Sequence, residues 1–551
     1  MSSPPTTSNR QKRFRTTSTP DKTRGIGYVE ISLDGTSLSL DLIYRFLWAD
    51  DWHVSMAPEA TEALTCANEQ LRSWVREEVP IYGVTRGLGP LKDKVLSESE
   101  EVEFQRRILV SHATGFGDLY PDQIATLTLL LRANAACQGH FGIRPELVQR
   151  MLDLINADVI PQMPIYGSLG SGDLQPMASL ALLMTGDPHG IGKWNGETGP
   201  AAEILERAGL EPHFPLETLE ALSIISGSTV LAAGAAVAFA RINRQLDLLD
   251  GAYAVTMEAL RAEMGALDPR VHEARGIPGQ IASADLVRKL LQGSEWTTPE
   301  GRRCLGENTP RVQDAVSLRS SAHIHGALRE TLGFARTALE RELKAATMNP
   351  LLFQNEDDAR SFDVVMCGNY DGSFLAHLID YLNIALTDCA GLSMTRSARL
   401  ISPHASYGLP PNLTGGHPGL NSGLVQVHSL QVALVGQMRQ EAVPASIHSL
   451  SAKDMQEDHN SMGGSSLNSL LLNVGRADTI LAGEYLLSTQ AIALIEPKMQ
   501  GLRLGKGTQR VKELISTKIA PPGNDRFFRD DLDIVRKLVR EGVLHAAVDD
   551  D

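Results

Sequence analysis

Residues 230–265 contain no proline and are rich in alanine, leucine and valine, so one helix of more than thirty residues can run through them. Two further stretches repeat the signal. Ile324, Leu328, Leu332, Ala335, Leu339 and Leu343 follow one another in steps of three and four, which puts them on one helix face. Leu467, Leu470, Leu471, Val474, Ala477 and Leu481 do the same. Helices this long must cover their apolar faces, either within a bundle or by oligomerising through it. Aromatic residues make up only 5% of the chain, too few for the strands of a β-sandwich. The expected fold class is mainly α, a long-helix bundle.

The formal net charge of −15 argues against a nucleic-acid partner for the body of the protein. The balance is reversed only at the start, where Arg10, Lys12, Arg13, Arg15, Lys22 and Arg24 face a single acid, Asp21. Together with its Ser, Thr and Pro content this predicts a disordered basic tail over residues 1–27, with neither the apolar core nor the cleavage pattern of a secretory signal. The five cysteines, Cys66, Cys137, Cys304, Cys367 and Cys389, are odd in number and widely spaced. They predict reduced thiols and a cytoplasmic protein. The longest apolar run, from Thr229 to Ala240, is too short to span a bilayer, so no membrane association is expected.

Between the helical patterns lie turn-rich segments, where binding groups on a rigid scaffold usually sit. The most unusual is Gly167-Ser168-Leu169-Gly170-Ser171-Gly172-Asp173. Its glycines leave the backbone free to fold tightly. Alone it reads as a tight turn, or as a serine exposed for nucleophilic attack, although it lacks the Gly-x-Ser-x-Gly elbow. A third reading is backbone cyclisation. The amide nitrogen of Gly172 attacks the carbonyl of Gly170, and loss of water, including the Ser171 hydroxyl, leaves an electrophilic methylidene-imidazolone. His323-x-His325 is the one pair with a metal-like look, but i and i+2 do not face each other on a helix, and no metal is expected.

Seven segments in a fixed order resemble the aromatic amino acid ammonia-lyase and aminomutase family, which carries the methylidene-imidazolone (MIO). They are Tyr82-Gly83-Val84-Thr85-Arg86-Gly87-Leu88-Gly89, Ser111-His112-Ala113-Thr114-Gly115, His272-Glu273 with Gly279-Gln280, Gln313-Asp314 with Ser317 and Arg319, Gly368-Asn369, Leu420-Asn421-Ser422-Gly423, and Gln456-Glu457-Asp458-His459 through Met462-Gly463. The resemblance covers residues 28 to about 500. It implies that Tyr82 removes the β-proton of the substrate, a task for which a phenol needs nearby positive charge or donors. It implies that Arg319 holds the substrate carboxylate and that Gln313 and Tyr370 line the same site. Ser111 and His112 match the pair that reads the substrate side chain. Glu457 matches the acid of the histidine branch. Gly170, Ser171 and Gly172 would form the cofactor. The family also builds each site from several subunits, which implies a homotetramer.

The departures from the family fall on the chemistry. The family's GSxGASGD is GSLGSGD here, one residue short, with Gly170 where the family has alanine. Ser226 replaces the asparagine that contacts the cofactor, and Val316 replaces a tyrosine. GNFHG has become Gly368-Asn369-Tyr370-Asp371-Gly372. The expected function is a carbon–nitrogen lyase or 2,3-aminomutase acting on an aromatic or histidine-like α-amino acid. The alternatives are a cofactor-free enzyme on the same scaffold, doing acid–base addition, elimination or cyclisation on an amino acid or derived acid, and a non-catalytic subunit. The expected segments are an N-terminal helical region with the cofactor loop over 28–225, a central long-helix bundle over 226–498 and a C-terminal helical piece over 499–551.

Overall fold

The computed structural model describes residues 26–549 apart from 308–310, 356 and 358–360. The basic tail therefore lies outside the described residues, except that Ile26 and Gly27 already belong to the strand Ile26–Leu33. Helices dominate, and the few strands form sheets of two or three. The mainly helical expectation holds.

The four longest helices among the described residues are Thr229–Ala259, Ser321–Glu342, Ser373–Ile401 and Gly463–Ile495. The first is the proline-free stretch read from the sequence. The stretch Glu220–Ala259 has the length and apolar composition of a membrane span, yet its apolar window is wholly buried. That hydrophobicity serves a protein core. The stripes behave as expected: Leu328, Leu332, Ala335 and Leu339 are buried on the second helix, and Leu467, Leu470, Val474 and Leu481 on the fourth.

The chain divides into two compact units that are interleaved along the sequence. Unit one comprises Met1–Val237, Arg336–Asp380 and Pro444–Asn468. Unit two comprises Ala238–Ala335, Tyr381–Val443 and Ser469–Asp551. The division passes through each long helix.

Unit one opens with strands Ile26–Leu33 and Ala49–Met56 paired in parallel, Val29 opposite Trp52. A parallel pair needs a crossover. Helix Leu40–Leu47 supplies it, its start capped by Ser39 Oγ, which accepts from the Leu42 amide at 3.2 Å. Helix Asp122–Ala136 is almost wholly buried and carries Arg132 and Asn134 into the interior.

Unit two is tied by a buried polar network. The Glu484 carboxylate accepts from Arg396 Nε at 2.6 Å and Nη2 at 2.8 Å, from Ser393 Oγ at 2.6 Å and from Thr256 Oγ1 at 2.8 Å. Arg396 Nη1 reaches Ser321 Oγ at 2.9 Å. His325 Nδ1 lies 2.7 Å from Asp250 Oδ1, whose other oxygen accepts from Arg329 at 2.7 Å. Residues from all four long helices thus satisfy one another's buried charge, the condition under which such groups are tolerated in a core.

Candidate active site

The loop Gly167–Asp173 lies at the starts of three long helices. Asp173 Oδ2 accepts the amides of Val230 at 2.8 Å and Leu231 at 3.2 Å, capping Thr229–Ala259. Such an end leaves unpaired N–H groups and partial positive charge, which a carboxylate satisfies. Ser168 Oγ donates to Asp173 Oδ1 at 2.7 Å and accepts from the Gly170 amide at 3.0 Å. Complete burial pushes the Asp173 carboxyl up to about 6, against these donors and the nearby Arg132. Arg132, also fully buried, is pushed down to about 9, with Asp173 opposing the shift. Its guanidinium donates to the carbonyls of Ser223 and Thr347.

Ser171 pairs antiparallel with Asp371. The Gly172 amide donates to the Tyr370 carbonyl at 3.2 Å, and the Gly372 amide, just before helix Ser373–Ile401, donates to the Gly170 carbonyl at 2.8 Å. Ser461 Oγ, two residues before helix Gly463–Ile495, donates to the same carbonyl at 3.0 Å. The Ser171 hydroxyl is buried without a hydrogen-bond partner. Gly170 and Gly172 both take left-handed φ, 77° and 80°. A Cβ on Gly170 would collide with Ser461 Oγ, so the place where the family has alanine admits only glycine here. The Asp173 amide donates to Gly227 O at 2.8 Å, which joins the loop to the turn holding Ser226. Ser226 itself is buried, its amide donating to Leu222 O at 2.9 Å.

A second group in unit one gathers around Glu457. Tyr82 Oη accepts from the Gly89 amide at 2.9 Å. Burial raises the phenol's pKa, the Gly89 donor opposes this, and Glu457 raises it further. Of the positive charge or donors that a tyrosine base was expected to need, the Gly89 amide supplies a donor, and no cation is among these influences. His112 ends helix Glu98–His112, with Nδ1 2.8 Å from Ile108 O and 3.0 Å from Ser111 Oγ. The carbonyl assigns the proton to Nδ1 and leaves Nε2 as an acceptor. Burial lowers the His112 pKa; Lys453 lowers it and Glu457 raises it. Tyr370 is raised by burial, by Glu457 and by Tyr82. Tyr82, His112, Tyr370 and Glu457 therefore share one electrostatic environment.

Glu457 carries a partner that the sequence reading missed. Lys453 Nζ lies 2.6 Å from its Oε1. Lys453, Asp454 and Met455 all adopt left-handed φ, between 52° and 60°. Ala452 and Glu457 exchange backbone hydrogen bonds of 2.8 and 3.3 Å across this turn. Three consecutive non-glycine residues in that region are costly, and such strain clusters at functional sites. A lysine four residues before an acid is an ordinary sequence pattern. Only the turn makes it part of the site.

Gln313, Val316 and Arg319 belong to unit two. Arg319 Nη1 donates to Gln313 Oε1 at 3.0 Å. Val316 starts the short helix Val316–Arg319 with its side chain 55% exposed. His323 and His325 face different partners: the His323 ring stands 5.5 Å from that of His272, while His325 is bound to Asp250.

The family model described as aromatic amino acid lyase matches residues 38–517. The chain belongs to the aromatic amino acid lyase family. A histidine ammonia-lyase from Caldanaerobacter subterraneus subsp. tengcongensis is 34% identical over 514 residues, 93% of this chain and 97% of that one. Among solved structures, histidine ammonia-lyase from Trypanosoma cruzi matches with a TM-score of 0.83 at 32% identity, covering 94% of this chain and 95% of its own. Tyrosine aminomutase from Streptomyces globisporus matches with a TM-score of 0.85 at 29% identity, covering 94% and 98%. This member of the aromatic amino acid lyase family is an enzyme of the ammonia-lyase and aminomutase type.

Proposed function

We propose that this enzyme is a carbon–nitrogen lyase or 2,3-aminomutase for an aromatic or histidine-like α-amino acid, with an electrophile cyclised from Gly170-Ser171-Gly172. The observation that carries the reading is the Ser171 hydroxyl, buried and unpartnered between two left-handed glycines. A buried hydroxyl without a partner costs about 1–3 kcal/mol. Dehydration of the serine removes that cost. The residues fit the group on this count. When formed, the group supplies an electrophile for the substrate amine.

The other roles belong to this chain's own side chains. Tyr82 Oη takes the β-proton, Arg319 holds the substrate carboxylate in its fork, and Gln313 orients Arg319 through their 3.0 Å bond. His112 Nε2, Ser111, Tyr370 and Glu457 read the substrate side chain. The assembly is a cytoplasmic homotetramer taking a small-molecule substrate.

Intact mass spectrometry tests the reading. The purified protein should be lighter than its sequence by two waters, and Ser171→Ala should lose both that deficit and turnover. A second reading rests on the Gly172 amide, which is held by Tyr370 O rather than free. In that case the scaffold works without the cofactor, using Tyr82 and Glu457 for acid–base chemistry on an amino acid or derived acid. An undehydrated protein whose Ser171→Ala variant stays active selects it.

A further inference from the structure

The Gly170 carbonyl oxygen receives two donors, Gly372 N–H at 2.8 Å and Ser461 Oγ at 3.0 Å. Both donors already hold the ground-state carbonyl oxygen and remain beside it as negative charge develops there. Ser461 is buried, its oxygen accepts from the Gly463 amide at 3.3 Å, and its proton finds Gly170 O at 3.0 Å closer than Leu169 O at 3.5 Å. The Gly372 and Gly463 amides open helices of 29 and 33 residues, whose N-terminal partial charge favours negative charge nearby. Across the same bridge the Gly172 N–H is held by Tyr370 O at 3.2 Å, a bond that the nitrogen gives up as it attacks.

We infer that Ser461 Oγ and the Gly372 amide form an oxyanion hole for self-cyclisation of the loop, which makes Ser461 a maturation residue of this enzyme. The inference rests on the proposed electrophile. The Gly172 nitrogen bonds to the Gly170 carbonyl carbon, and the C=O electron pair moves onto the oxygen held by Ser461 and Gly372. That oxygen takes up the protons of the Gly172 and Ser171 amides and leaves as water, creating the carbon–nitrogen double bond between Gly170 C and Ser171 N. The Ser171 Cα–H and Oγ–H then leave as the second water, creating the Cα–Cβ double bond. No external oxidant or reductant is needed. The same contact explains the glycine: a Cβ at Gly170 would displace the Ser461 hydroxyl that activates the carbonyl.

The test follows intact mass against time after synthesis for wild type, Ser461→Ala and Ser461→Gly, with circular dichroism and thermal midpoints as folding controls. Removing one oxyanion donor costs roughly 100-fold or more in rate. Ser461→Ala should fold normally and lose its two waters about 100-fold more slowly than wild type. Ser461→Gly also lacks the hydroxyl and adds no atom to the site, so it should fold and stay equally slow. If either folded variant dehydrates at the wild-type rate, the inference fails while the electrophile stands. A wild-type protein that never dehydrates overturns both.

Discussion

The Lys453 ammonium sits 2.6 Å from the Glu457 carboxylate, so the acid expected to read a substrate side chain is already paired. The pair is partly exposed, with the lysine at 33% and the glutamate at 15%. In the proposed function a paired Glu457 attracts a cationic or donor-bearing side chain less than a free one. Lys453→Met should raise kcat/KM for histidine relative to phenylalanine by about tenfold, equivalent to about 1.4 kcal/mol. Absorbance of the unsaturated products reports both rates. An unchanged ratio means that the pair takes no part in selectivity.

Tyr82 should impose its titration on the rate. Its pKa lies above the ordinary phenol value, so the phenolate fraction is small near neutrality and grows steadily with pH. If Tyr82 is the base, kcat/KM should climb through about pH 9 without a plateau, the direction set by a base that ionises only above about 10. Tyr82→Phe should lower turnover by about 10²–10⁴-fold while binding of a non-reactive substrate analogue is kept. A plateau below pH 9 would assign the base elsewhere.

Asp173 makes stability depend on pH with a definite sign. Its folded pKa is raised to about 6 from an ordinary 3.8, so between these values the folded chain holds a proton that the unfolded chain has lost. Its contribution is therefore present at low pH and is lost as pH rises through about 6. Relative to Asp173→Asn, the wild type should lose on the order of 2–3 kcal/mol between about pH 4 and pH 7. Denaturant titrations at both pH values measure the difference; a constant gap would contradict it.

Arg396 and Glu484 are both fully buried and doubly bonded. Removing one partner leaves an uncompensated buried charge, so Arg396→Met should destabilise the protein by about 3–5 kcal/mol. Pairing it with Glu484→Leu should recover much of that loss, because replacing both charges by apolar groups is close to neutral. Unfolding curves of the single and double variants decide the point.

Several large apolar side chains on helices of unit two, three of them long and one Val425–Glu441, remain exposed. Phe334, Tyr381, Ile384, Val432 and Leu472 are each between 46% and 52% accessible. Phe334 and Tyr381 are neighbours, their ring centroids 6.4 Å apart, and exposed apolar patches mark association surfaces. Together with the family membership they lead us to expect a homotetramer, and light scattering at micromolar concentration should report four chains. A stable monomer would refute it.

The long helices were legible because their signal is local: proline-free, apolar every third or fourth residue, strong over thirty positions. The loop segments were legible as motifs because a glycine-flanked serine and the Tyr82, Ser111-His112 and Glu457 patterns each occupy a few adjacent residues. Tertiary structure alone decided what meets them. Gly170 and Ser461 are 291 residues apart, and nothing in either segment announces that a serine hydroxyl occupies the place of a missing Cβ. The Asp173 cap on Val230 and Leu231 and the Arg132 contact to Thr347 are equally remote in sequence. The Lys453 to Glu457 pairing is near in sequence but depends on three consecutive left-handed residues, none of them glycine. A local pattern sets which element forms, because its energy comes from neighbours along the chain; the partners of a buried polar atom come from whichever segments the packed core leaves beside it.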